Sequence, residues 1–307
     1  MPRTRALDAL LKAAREIAEQ DAREADAIAY MARLLTQATI PHREPRGQTT
    51  YRREAGDLVL EIQGREKYGL PYGSYPRLLL AWMCTEAVKT RSRKLYLGAS
   101  LSEFMDKLGL VPSGGRWGTI PRLRDQAKRL FFSRWFVDVS REMEAKGWRA
   151  WWDLGFQIAL SRSTLLWDVK DPDQLALFEE HSYVELTQEF FEAVLLRPVP
   201  LDARALRALK QSPLALDLYA WLSYRASYAQ KDLAVTWQQL HAQFGADYEN
   251  VDEFARKVKQ AIAKIHLLWP DLRVQYPKGR LVLKATTQVH VPRAIGSNDK
   301  GSASRKK

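Results

Sequence analysis

The sequence holds one cysteine, five histidines and no apolar run approaching the roughly 20 residues that a membrane span needs. Cys84 alone makes no internal disulfide, and the apolar run Leu78–Met83 before it predicts a buried, inert thiol. The first residues alternate charge with Ala and Leu and lack an apolar signal-peptide core, so the expected location is the cytoplasm. No G-x-x-x-x-G-K-S/T loop is present, which excludes nucleotide-driven unwinding by this route. His42, His181, His241, His266 and His290 fall in no zinc or metallo-nuclease spacing. Asp171-Pro172-Asp173 and Glu179-Glu180 lie in an acidic stretch without ligand partners and read as solvated loop. No nucleophile with an identifiable base emerges. The chain is therefore read as non-enzymatic, with no catalytic residue, no metal ligand and no cofactor.

What is present is a folded chain of two-domain length. It has 307 residues, 46% of them apolar, with 10 Trp, 12 Tyr and 10 Phe. Its net charge of +12 is unevenly spread. Segment 1–40 is neutral, 86–134 carries +7, 163–210 carries −4 and 253–284 carries +6. Charge runs often mark solvated faces, but two basic blocks separated by an acidic spacer suggest two phosphate-facing surfaces.

Residues 5 to 37 repeat apolar side chains at three–four spacing, from Leu7, Leu10 and Leu11 to Leu34 and Leu35. This predicts an amphipathic helix or helix pair, stopped by Pro41 and Pro45. It either packs across the first folded unit or meets another protein. Thr49–Arg53 and Leu58–Ile62 alternate around a turn and predict a β-hairpin.

Beyond these, one element order occurs twice. Helices Pro76–Lys89 and Pro213–Ala226 each lead to a short strand, Lys94–Leu97 and Leu233–Val235. Capping boxes follow at Ser100–Glu103 and Thr236–Gln239. Phe104 answers to Leu240, Leu108 to Phe244 and Gly109 to Gly245 at a constant offset of 136. Both glycines are expected in the left-handed conformation that ends a helix. Third helices are predicted over Ile120–Phe132 and Val251–Leu268. Extended segments follow: Trp135–Val139 with Arg149–Leu160, and Leu272–Gln275 with Leu281–Lys284 around a Tyr276–Arg280 tip.

Helix, strand, capped helix, third helix and hairpin in that order make a winged helix. The expected fold class is α+β and helix-rich, with two tandem winged-helix domains and an N-terminal helical arm. The arm covers 1–45, the first domain 46–165 and the second 166–295 with an acidic linker at its start; 296–307 is a disordered basic tail.

In a winged helix the third helix enters the major groove and the wing follows the backbone or minor groove. With Leu123, Ala127 and Leu130 inward, Arg122, Arg124, Lys128 and Arg129 fall off the core face. With Val258, Ile262 and Ile265 inward, Arg256, Lys257, Lys259 and Lys264 do the same, and Lys278 and Arg280 sit on the wing. Arg116-Trp117, after Gly114-Gly115, is a further contact candidate at a turn whose amides could meet a phosphate. The first third helix is richer in Arg, the better reader of guanine edges; Lys serves better on phosphates. Helix-turn-helix folds that bind only protein remain the other reading.

Several runs resemble a known family. They include Gly69-Leu70-Pro71-Tyr72-Gly73, Tyr75-Pro76-Arg77-Leu78-Leu79-Leu80-Ala81-Trp82 and Pro112-Ser113-Gly114-Gly115-Arg116-Trp117-Gly118. Arg197-Pro198-Val199-Pro200, Lys210-Gln211-Ser212-Pro213 and Gln243-Phe244-Gly245-Ala246-Asp247-Tyr248 extend the likeness to about residues 15 to 285. They are similar to the RepA family of bacterial plasmid replication initiators. The resemblance implies binding to repeated double-stranded DNA sites (iterons) at an origin, assistance in melting it, and recruitment of host replication proteins such as the replicative helicase. It also implies a homodimer off DNA that represses its own gene. A transcriptional repressor with the same DNA-binding domains is the alternative.

Overall fold

The computed structural model describes residues 5–56, 58–98, 100–139, 159–160 and 183–293. Residues 149–158, the two acidic clusters and the C-terminal tail, all singled out above, lie outside them. The architecture is mixed helix and sheet, with helices predominant.

Two apolar helices form its centre, α2 (Ser74–Thr90) and, numbering helices along the chain, α7 (Pro213–Ala226). Each is apolar on nearly all sides, the pattern of a helix enclosed by other elements. Accordingly Leu79, Met83, Cys84 and Ala87 of α2, and Ala215, Leu218, Tyr219 and Trp221 of α7, are fully buried. Burial pushes the Cys84 thiol up to about 12, so it is the inert thiol expected. Ser212 caps α7 by accepting from the Ala215 N–H (3.3 Å), with Pro213 at the first helical position.

In the first half α2 is followed by β4 (Lys94–Tyr96), α3 (Leu101–Lys107), α4 (Thr119–Phe131) and β5 (Arg134–Val139). Ser100 caps α3, accepting from Glu103 N–H at 3.1 Å. Gly109 closes it with φ +67, as expected. The expected pairing of Trp135–Val139 with Arg149–Leu160 falls almost wholly on residues outside those described, and β5 has a second partner that spacing did not show. β5 pairs antiparallel with β3 (Leu58–Gln63), the inner strand of the hairpin formed with β2 (Thr50–Ala55). The register sets Leu60 opposite Val137 and Ile62 opposite Trp135, all buried on one face, so the period-two pattern has found a core. The described end of the other segment, β6 (Ala159–Leu160), joins β7 (Tyr183–Glu185), which pairs with β4.

The second half continues through α5 (Gln188–Leu195), β8 (Val199–Asp202) and α6 (Ala203–Leu209) into α7. After it come β9 (Leu233–Thr236), α8 (Trp237–Phe244), α9 (Val251–Leu268), β10 (Val274–Gln275) and β11 (Arg280–Leu283). Here the hairpin pairs back on the short strand, giving the sheet order β10-β11-β9. The capping box at Thr236 and Gln239 is complete in both directions. Gly245, however, is not left-handed: its φ is −80. Its glycine requirement is one of space, because a Cβ there would stand 2.5 Å from the His241 ring and 2.6 Å from the His241 carbonyl.

The arm also departs from expectation. Among its described residues only Arg5–Glu19 is α-helical (α1). Asp21 accepts from the Arg23 and Glu24 N–H groups (2.7 and 2.9 Å) and turns the chain. Ile28–Met31 then becomes β1, pairing antiparallel with β8, and Arg33–Thr36 is a 3₁₀ turn. Ladder bonds to a distant strand thus override the helical spacing. Nor is the cover of α1 the first unit: it packs on α6 and α9 in the second half, burying Leu10 and Ala13. Arg204, paired with Asp202 at 2.7 Å, donates to the carbonyls of Glu16 and Gln20 (both 2.9 Å), which closes the end of α1.

Candidate nucleic-acid interface

Helix α4 buries Leu123, Gln126, Ala127 and Leu130. Gln126 accepts from the Tyr72 N–H at 2.9 Å, tying the helix to the turn that precedes α2. Arg122 is exposed, with its guanidinium folded back onto the Trp117 carbonyl. Arg124 and Lys128 are half-buried, and the Arg124 Nε is enclosed without a hydrogen-bond partner. Arg129 differs from the others. Only 15% of its side chain is exposed, it forms ion pairs of 2.9 Å with both Asp125 and Glu44, and it lies over the Tyr72 ring. Its charge is met twice by carboxylates, and it binds α4 to the segment entering β2.

The turn before α4 presents Arg116 and Trp117, the indole 75% exposed with the guanidinium 5.2 Å from its ring centre. Two helix-start amides, which could have met a phosphate, are already taken. Ser113 accepts from Thr119 N–H through its hydroxyl (2.9 Å) and from Ile120 N–H through its carbonyl (3.2 Å).

Helix α9 follows the same logic more cleanly. Phe254, Val258, Ile262 and Ile265 are buried; Arg256, Lys259 and Lys264 are exposed and Lys257 is half-buried. Asn250 caps its start, accepting from the Asp252 and Glu253 amides (2.7 and 3.2 Å). The Arg256–Glu253 pair, 3.8 Å apart and exposed on both sides, is a weak surface contact that leaves the guanidinium available. On the hairpin, Lys278 and Arg280 are exposed at a tight tip. Arg280 N–H donates to Pro277 carbonyl (3.1 Å), and Gly279 takes the positive φ (+78) of a type II turn.

The structure thus groups Arg116, Arg122, Arg124 and Lys128 around α4. It groups Arg256, Lys257, Lys259 and Lys264 on α9, with Lys278 and Arg280 beside them on the hairpin. Arg129 is set apart in its ion pairs. Among the described residues no group of three His, Cys, Asp or Glu is placed to hold a metal, and no helix is long and apolar enough to cross a membrane.

One functional feature was missed by sequence reasoning: the joint between the halves. Arg77 of α2 and Asp217 of α7 form a two-pronged, buried ion pair. Arg77 also donates to the Ile40 and Gly73 carbonyls (2.8 and 2.6 Å), while Thr39 and His42 donate to the same carboxylate. Burial pushes the Asp217 carboxyl up, but the Arg77 charge and the hydrogen bonds from His42 and Arg77 outweigh it and hold it at about 2. Burial lowers the His42 value below the ordinary range, against the opposing pull of the Asp217 carboxylate. The available signal was a charge flanked by apolar residues near the start of each helix, Arg77 before Leu78-Leu79-Leu80 and Asp217 between Leu216 and Leu218.

The chain has similarity to known proteins at the level of family and of structure. The family model described as plasmid-encoded RepA protein matches residues 70–239. The crystal structure of RctB domains 2-3 aligns over 82% of this chain and 96% of its own, with 17% identity and a TM-score of 0.46. Among curated proteins nothing matches. The family match is more than half of the sequence and spans α2, α4, the Arg77–Asp217 joint and the second capping box; the chain belongs to the RepA family of plasmid-encoded replication initiators.

Proposed function

We propose that this chain is a non-enzymatic initiator that binds repeated double-stranded sites at a plasmid origin through two winged-helix units, with α4 and α9 in successive major grooves. The observation that carries the DNA-binding part is shared by both helices: each buries an apolar stripe and turns basic side chains away from it. In the second half a basic hairpin tip adds to that surface, where it would meet a backbone. Two linked reading heads give one chain a long, non-palindromic site, which suits direct repeats. The Arg77–Asp217 joint supports a fixed spacing between them. Origin melting and recruitment of a host helicase are read from family membership, as is a homodimer off DNA. The cytoplasm of a bacterial host is the compartment such a role requires.

Binding to duplex DNA tests this reading. With six to ten phosphate contacts, affinity should fall about 10³–10⁵-fold between 50 and 200 mM salt. A flat salt response, or equal affinity for random single strands, contradicts it.

A further inference from the structure

Three elements of the second half converge on one small cluster. Trp237 opens α8, Lys259 lies on α9 and Tyr276 stands at the base of the hairpin tip. The Trp237 and Tyr276 rings stack nearly parallel, 19° apart with centroids 6.2 Å from each other. Lys259 Nζ stands 5.6 Å from one centroid and 5.5 Å from the other. The Trp237 backbone N–H also donates to the Gly279 carbonyl in the tip (3.1 Å).

We propose that Tyr276 is a positioning residue, whose ring, with Trp237 and Lys259, locks the β10–β11 hairpin onto α9 so that Lys278 and Arg280 meet DNA in fixed register with that helix. This rests on the DNA-binding reading above. β9 holds β11 over four residues, but β10 is joined to β11 by only two paired residues, Val274 and Gln275, so β10 and the tip have little stability of their own and need such a device. A loose hairpin would have to be ordered on binding, at the expense of affinity. The ammonium group is attracted to the negative faces of both rings, so one cation joins helix to hairpin. Lys259 therefore acts through the hairpin, unlike Arg256 one turn earlier, whose weak surface pair is with Glu253 on its own helix.

Tyr276 is 39% exposed, so its replacement leaves the core intact. The test compares wild type, Tyr276→Ala, Tyr276→Phe and Lys259→Gln by hydrogen exchange without DNA. Hydroxyl-radical footprinting follows, on a duplex selected by the wild-type chain from a random pool. Tyr276→Ala should raise exchange over residues 274–279 about tenfold while α9 is unchanged, and Tyr276→Phe should restore protection. Lys259→Gln should loosen the same segment. In the footprint, Tyr276→Ala should lose protection at the hairpin's position and keep that of α9. Unchanged exchange in Tyr276→Ala would overturn the lock; raised exchange with an unaltered footprint would overturn its role on DNA. A wild-type chain that selected no duplex would overturn the DNA-binding reading, while the exchange comparison would still decide the lock.

Discussion

Arg77 and Asp217 face each other across the two halves with Nε–Oδ1 and Nη2–Oδ2 distances of 2.7 and 2.8 Å. Their side chains are only 5% and 11% exposed. A pair so enclosed stabilises little relative to an apolar contact of the same shape, but breaking it strands a charge. It fixes the position of α2 on α7, and through Thr39 and Ile40 it holds the segment leaving the arm.

Asp217→Asn should therefore destabilise the chain by about 3–5 kcal/mol, with Arg77 left uncompensated. The double replacement Arg77→Met with Asp217→Leu should recover much of that loss. Urea denaturation followed by circular dichroism reads both. A single variant unfolding at the wild-type urea concentration would contradict the role given to the joint.

Acid should weaken the fold in two stages. His42 has a folded value below its ordinary 6.5, as has His290, which burial lowers against Tyr219 and Trp269. The unfolded chain then takes up protons that the folded chain refuses, and stability declines as pH falls through about 6.5. Asp217, held at about 2 against an ordinary 3.8, keeps its contribution above 3.8 and loses it as pH falls through 2. Denaturation midpoints between pH 8 and 5 should drop, and His42→Gln should flatten the profile. A midpoint constant over that range would contradict the assignment.

The inward faces of α4 and α9 were legible from spacing alone: Leu123, Ala127 and Leu130, like Val258, Ile262 and Ile265, are all buried. Capping residues at Ser100 and Thr236 were legible because their chemistry is local. The arm was not. Ile28, Met31, Leu34 and Leu35 carry helical spacing, yet β8, some 170 residues away, offers Ile28 and Met31 a ladder. The union of β4 with β7 was hidden for the same reason, since three-residue strands leave almost no periodic signal. At Arg129, spacing placed the residue off the core face but carried no sign of the distant Glu44.

The two halves should read DNA differently. Replacing Arg122 and Arg124 with Ala should relax base preference in one part of the site, each lost base contact costing about 1–3 kcal/mol. Replacing Arg256 and Lys264 should weaken all sequences evenly and lower the salt slope by about two. Selection from randomised duplexes distinguishes these outcomes. Unchanged preference in the first variant would place base reading elsewhere.

Removing residues 1–40 should expose the β8 edge and the α6–α9 surface and take Thr39 and Ile40 from the joint, so the fragment should aggregate. Removing only 1–20 uncovers the surface that buries Leu10 and Ala13 and should leave a soluble, less stable chain. Light scattering separates the two. A soluble, cooperatively folding 41–307 fragment would show that the arm is not structural.

The central claim, two reading heads held at fixed spacing in one chain, is tested most directly by hydroxyl-radical footprinting on the parent plasmid. Each direct repeat beside the gene should show two protected patches on one face of the duplex, about 10–10.5 base pairs apart. The patch made by α9 should vanish with the Arg256 and Lys264 replacements. A single patch per repeat, or patches on opposite faces, would contradict the account.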